Sequence, residues 1–213
     1  SYSSELYISE HELNTFMNEI FNAFQQYANI KHINFTYESN FRYMNVWLDK
    51  EKMESIFKNI ISNALKYTPE NGNVQVFVSE TSDSWSVEVR DTGIGIPANE
   101  QKKLFKLHFR GSNAINSKVT GSGIGLMLVW KLVRLHKGKI NLSSIENQGS
   151  VIKITFPKDS KRFRKAHLAT PSKQRQEIKV VDNVPPPSPE IYENAQKKEN
   201  INHRRSEERR VGK

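Results

Sequence analysis

Asn59 and Asn63 stand one helical turn apart in the segment FKNIISNALKYTPENG, and Lys66 and Tyr67 continue the same side. Amide oxygens can join the shell of a magnesium ion that phosphates and water otherwise hold, and a lysine ammonium neutralises phosphate oxygens. The row suits a magnesium nucleotide, although two asparagines alone would more simply be a solvated helix face. A second group is Asp91-Thr92-Gly93-Ile94-Gly95-Ile96-Pro97. It presents a carboxylate at a strand end beside backbone that two glycines open to close approach, so the aspartate can accept a hydrogen bond from an exocyclic amine. The third, Gly121-Ser122-Gly123-Ile124-Gly125, opens directly into an apolar helix whose first N–H groups make an anion site. It lacks the lysine and hydroxyl of a P-loop, and no strand immediately precedes it as a dinucleotide fingerprint requires.

These groups need elements to hold them. Asp49 caps a helix with the buried stripe Met53, Ile56, Phe57, Ile60, Ile61 and Ala64, which Pro69 and Gly72 stop. Val74, Val76 and Val78 alternate, as do Trp85, Val87 and Val89, which predicts a hairpin ending at Asp91. Thr92 to Gly123 reads as a long loop with one weak helical patch near Glu100 to Phe105. A helix over Ile124 to Lys137, ended by Gly138, and two strands, Lys139 to Ile145 and Ser150 to Phe156, complete the pattern. Upstream, Ser9 and Glu12 form a capping box for an amphipathic helix carrying Leu13, Phe16, Met17, Ile20, Phe24 and Ala28. Ile33 to Glu38 and Tyr43 to Leu48 read as a short hairpin. The order predicts an α+β fold, a two-layer α/β sandwich with helices on one face of a mixed, mostly antiparallel sheet.

Composition narrows the partners. The 213 residues suit one domain with appendages, and the absence of cysteine excludes disulfides and thiolate metal sites. No apolar run reaches the ~20 residues of a membrane span. The net charge of +9 is concentrated after Pro157, where about 15 basic residues meet about 8 acidic ones among prolines and few large apolar side chains. The expected organisation is an N-terminal amphipathic helix over 1–30, part of or leading into the domain, a domain over 31–157 with a lid over about 97–123, and a basic, proline-containing, disordered tail or linker over 158–213. Because the folded part is nearly neutral, neither nucleic acid nor membrane contact is expected of it.

Together the three groups resemble, in order and spacing, the ATPase superfamily of DNA gyrase, heat-shock chaperone, histidine kinase and mismatch-repair proteins, which shares the Bergerat fold. Phe57 to Pro69 looks like the histidine-kinase asparagine box, and Asp91 to Pro97 and Gly121 to Leu126 look like its two glycine boxes. The resemblance implies bound ATP and Mg2+. Asn63, helped by Asn59, would hold the metal, Asp91 would read the adenine amine, Tyr67 would pack near the base and Lys66 would face phosphates. Gly93, Gly95 and Ile96 would form the wall near adenine, and Gly121, Ser122, Gly123, Gly125 and Leu126 would hinge the lid and meet phosphate. Arg110 matches the arginine that closes the family's phenylalanine box, in which His108 stands where a second phenylalanine is usual and Phe109 stands beside it.

Hydrolysing members of the superfamily carry a glutamate at the position of Asn59 to activate water. An amide there suits transfer of the phosphoryl group better than hydrolysis. The resemblance therefore implies the catalytic module of a two-component sensor histidine kinase, an enzyme with Asn59, Lys66 and Arg110 in its catalytic machinery. It would pass the ATP γ-phosphoryl to a histidine on a separate dimerisation and histidine-phosphotransfer domain, with a response regulator or receiver domain downstream. Cytoplasmic placement, within a membrane-anchored parent, follows from the same resemblance. The rival readings are an ATP-hydrolysing clamp and a non-catalytic scaffold of the same fold. His11, in His11-Glu12-Leu13-Asn14-Thr15, imitates a phosphoacceptor box without its proline, and is read as an exposed histidine in the first helical turn. His32, His136, His167 and His203 are read as surface or incidental histidines.

Overall fold

The computed structural model describes residues 5–105, 125–159, 163 and 167–168. Helix α1 (Leu13–Ile30) and helix α2 (Lys50–Tyr67) each bury one stripe, as their apolar spacing requires. The buried set is Leu13, Phe16, Met17, Ile20, Phe21, Phe24 and Ala28 on α1, and it includes Met53, Ile56, Phe57, Ile60, Ile61, Ala64 and Leu65 on α2. A third helix, α3 (Gly125–Leu135), buries Leu128, Val129, Leu132 and Val133.

The helices pack on a five-stranded sheet formed by β2 (Asn34–Ser39), β4 (Asn73–Glu80), β5 (Ser84–Asp91), β7 (Gly149–Pro157) and β6 (Lys139–Ile145), in that spatial order. Only β2 and β4 run parallel; the remaining neighbours are antiparallel. Val74, Val76, Val78, Trp85, Val87, Val89, Ile154 and Phe156 are all buried and form one core with the helix stripes. Their period-two alternation lets one sheet face be apolar while the other is polar. The sequence-predicted sandwich is thus the observed architecture.

Three local expectations are corrected. Ser9 does not cap α1: it lies in strand β1 (Tyr7–Glu12), opposite Leu48 of β3 (Asn45–Leu48). The cap is Glu12, whose carboxylate accepts from Asn14 N at 3.1 Å and Thr15 N at 2.6 Å. Its longer side chain does from the strand end what Ser9 would do from a helical register.

Second, β2 and β3 are not a hairpin. The first pairs with β4 and the second with β1, so the chain between them crosses from one sheet to another. Asn14 ties that crossing down by donating to Phe41 O and Arg42 O, while its carbonyl accepts from Tyr37 Oη. Third, the chain past Pro157 adds a short strand, β8 (His167–Leu168), parallel to β1. No helix among the described residues is long and apolar enough to cross a membrane.

Candidate nucleotide site

The site gathers at the C-terminal half of α2. Asn59, Asn63, Lys66 and Tyr67 are all half-buried along it. Asn59 donates from Nδ2 to Ser55 O at 2.7 Å, which turns its carbonyl oxygen outward from the helix. That oxygen meets the start of α3: a Cβ added to Gly125 would lie 2.6 Å from Asn59 Oδ1. A side chain at position 125 would have to displace this amide. Lys66 Nζ lies 5.7 Å from the centre of the Tyr67 ring, in the range of a cation–π contact.

The turn after β5 docks on the last residue of α2. Ile94 N donates to Tyr67 O at 3.2 Å, and a Cβ on Gly93 would stand 2.6 Å from the same oxygen. Gly93 N donates to Asp91 Oδ1 at 2.8 Å, an Asx turn that fixes the carboxylate at the strand end. Gly95 has φ +62, and a Cβ there would fall 2.0 Å from Ile145 O, so conformation and space both require glycine. Ile96 O is held by Gln101 Nε2 at 3.0 Å, and the same amide reaches Ser144 O at 2.8 Å. Burial pushes the Asp91 carboxyl up to about 6, against the opposing effect of N–H donation from Gly93 and Ser150.

Asn59, Asn63, Lys66, Tyr67, Asp91, Gly93, Gly95, Ile96, Gly125 and Leu126 are thus carried by three segments: the end of α2, the β5 turn docked on it, and the first turn of α3. Arg110, Gly121, Ser122 and Gly123, with His108, Phe109 and most of the expected lid, lie outside the described residues.

Sequence reasoning overlooked Gly149, whose φ is +106 and whose added Cβ would lie 1.9 Å from Asp91 O. Glycine in a hairpin turn was its only signal, and that signal does not say which strand it approaches. Gln101 was overlooked as well, because nothing local reveals that its amide joins the Ile96 turn to strand β6.

The histidines need correction. His11 lies in β1 rather than in a helical turn and is half-buried, with Nε2 2.7 Å from Ser9 Oγ and its ring 6.3 Å from that of Phe16. Burial, with Lys50 nearby, lowers its pKa. His136 is fully buried, not a surface residue: Nε2 accepts from Asp49 N at 3.4 Å, which leaves Nδ1 to donate to Leu132 O at 2.9 Å. Its position after an apolar helix hid this role.

A carboxylate beside open backbone, an ammonium on an aromatic ring, two amides in a row and a helix start are groups of the kind a nucleotide site uses. The family profile of histidine kinase-, DNA gyrase B-, and HSP90-like ATPases matches residues 48–160, more than half of the chain. This chain belongs to that family.

Among relatives, the sensor histidine kinase WalK of Bacillus subtilis is 36% identical over 144 residues, covering 67% of this chain and 23% of WalK. The chain spans less than a quarter of the length of the curated kinases it matches first. Among solved structures, the nucleotide-free catalytic domain of histidine kinase ThkA superposes with a TM-score of 0.64 at 26% identity, over 72% of this chain and 99% of that one. ThkA in complex with the response regulator TrrA gives a TM-score of 0.60 at 22% identity, over 73% of this chain and 43% of that one, a likeness of fold alone.

Proposed function

We propose that this chain is the ATP-binding catalytic module of a sensor histidine kinase, transferring the γ-phosphoryl of ATP to a histidine on a separate dimerisation domain. The observation that carries the proposal is Asn59. An amide, not a carboxylate, faces the start of α3, so this position offers no general base to activate water. The likeness to WalK and to the ThkA catalytic domain supports the same reading.

The residues fit magnesium–ATP. Asn59 keeps its acceptor oxygen directed away from the helix that its Nδ2 engages, and Asn63 stands one turn on. Both are hard oxygen donors of the kind that complete a shell dominated by phosphate and water. When bound, the ion would neutralise phosphate charge. Asp91 would accept from the adenine amine, Tyr67 would flank the base, and Lys66 would supply positive charge to phosphate oxygens. Arg110 and the glycines of the lid would close the phosphate side. The chain's contribution is positioning and charge neutralisation: the nucleophilic nitrogen forms its bond to phosphorus as the bond to the ADP oxygen breaks.

We further propose residues 31–157 as the nucleotide domain with a lid over about 97–123. β1, α1 and β8 belong with its folded part, and the basic chain beyond them acts as a tail or linker. A downstream response regulator or receiver is the proposed final acceptor, by analogy with the ThkA–TrrA complex.

The test follows the γ-phosphate. With γ-labelled ATP, magnesium and a dimeric helical domain bearing an acceptor histidine, the label is expected on that domain, stable in base and lost in acid. Steady phosphate release by the chain alone would move the reading to a hydrolysing clamp. Absence of nucleotide binding would move it to a scaffold.

A further inference from the structure

Helix α2 ends at Tyr67 without the glycine that commonly closes a helix; Thr68 and Pro69 follow. The last four carbonyls of a helix have no partner within it. Here each one is accounted for. Ala64 O accepts from Thr68 N at 3.1 Å and from Thr68 Oγ1 at 2.7 Å. Tyr67 O accepts from Ile94 N.

Leu65 O and Lys66 O are taken by a side chain from another element. Lys31, the residue that caps α1, donates from Nζ to Leu65 O at 2.7 Å, to Lys66 O at 3.3 Å and to Thr68 O at 2.9 Å. An ammonium has three protons, so the three carbonyls saturate it. Burial lowers the pKa of Lys31, while the negative end of the α2 dipole favours its charge. Nζ also lies 5.8 Å from the centre of the Tyr27 ring, in the range of a cation–π contact.

We propose that Lys31 is a positioning residue of the nucleotide site: its ammonium fixes the last turn of α2, and with it Lys66, Tyr67 and the Asp91–Gly95 turn that hangs on Tyr67 O. Lys31 acts through these groups and does not touch the nucleotide. The inference rests on the nucleotide-binding reading above. Its physical content is that two elements distant in sequence, α1 and the turn after β5, share one helix end, so loosening one side of that end frees the other.

The test is the affinity of the 213-residue chain for a fluorescent ATP analogue with magnesium, at a temperature where every variant is folded by circular dichroism. Lys31→Met is expected to weaken binding about tenfold, because small misplacements of contact groups are amplified in affinity, while Lys31→Arg, which keeps charge and donors, stays within about twofold. Leu13→Ala, in the core at the opposite end of α1, destabilises the fold without touching α2's last turn and is expected to bind as the native chain does. Native affinity in folded Lys31→Met, or an equal loss in Leu13→Ala, would overturn the proposal.

Should Lys31→Met not fold, Lys31→Gln with amide exchange at Ile94 replaces it. Lost protection of that amide supports the proposal, and unchanged protection overturns it. A native chain that binds no nucleotide would sink the site reading instead, and the Ile94 exchange would still report on the clamp.

Discussion

The two ends of α2 are held by opposite means. At the N-terminal end a carboxylate does the work from within: Asp49 accepts from Lys52 N at 3.1 Å and Lys52 Nζ at 2.8 Å, and both side chains are at least 93% buried, with exposures of 5% and 7%. Tyr7 N also donates to Asp49 Oδ2, and Asp49 N reaches His136. At the C-terminal end the cation comes from outside, as Lys31, and the amide of Ile94 completes it. The first end is packed in the core and serves stability. The second borders the site, so its ties also set the positions of groups that meet a ligand.

If this division is right, perturbing each end should separate stability from binding. The largest effect is expected for Asp49→Ala, which strands the buried Lys52 ammonium and removes the cap, costing about 3 kcal/mol in urea unfolding. Its folded fraction should bind nucleotide normally; weakened binding would blur the distinction between the ends.

Next comes Gly95→Ala. Forcing a side chain at φ +62 against Ile145 O is expected to cost about 2 kcal/mol in thermal unfolding and to weaken nucleotide binding as well.

Asp91→Asn should go the other way. The folded pKa of Asp91, about 6, lies above the ordinary carboxyl value of 3.8. The folded state therefore holds the extra proton between those values, and the group's contribution to stability falls as pH rises from about 4 to about 6. At neutral pH the half-buried charge is a penalty that the neutral amide lacks. Asp91→Asn is thus expected to be more stable than native by about 1 kcal/mol, discounted for its partial exposure, while losing nucleotide affinity. A destabilised variant would show that the carboxylate is structural.

The smallest effect is the pH dependence itself. Affinity of the native chain is expected to fall a few-fold as pH drops through about 6 and the Asp91 acceptor is protonated, because charge-assisted hydrogen bonds weaken to neutral ones. Asp91→Asn should show no such step in a titration of binding against pH.

What the sequence reveals follows the same contrast. Asp49 is legible as a cap because the N–H it caps, that of Lys52, lies within one turn. The α2 stripe and the β4–β5 and β6–β7 hairpins are legible because local apolar periodicity fixes them. The Asp91 to Ile96 turn is legible through its glycines, one of which has φ +62. Lys31 is not legible, since its three acceptors are carbonyls 34, 35 and 37 positions away, and carbonyls are present in every sequence. Gly149 and Gln101 escape notice for the same reason: both contact backbone across the fold. The mistaken β2–β3 hairpin has a related cause, because alternation marks a strand without naming its neighbour. The Ser9–Glu12 capping box misleads because it is a local pattern, whereas the strand pairing of Ser9 with Leu48 is not.

The central claim is that α2 and the Asp91 turn bind magnesium–ATP, and equilibrium binding of a fluorescent ATP analogue tests it most directly. Native chain, Asn63→Ala and Asp91→Asn are compared with and without magnesium. The account predicts binding by the native chain that both substitutions weaken, with Asn63→Ala also removing most of the gain from magnesium. Native binding that neither substitution alters, or no binding at all, would contradict it.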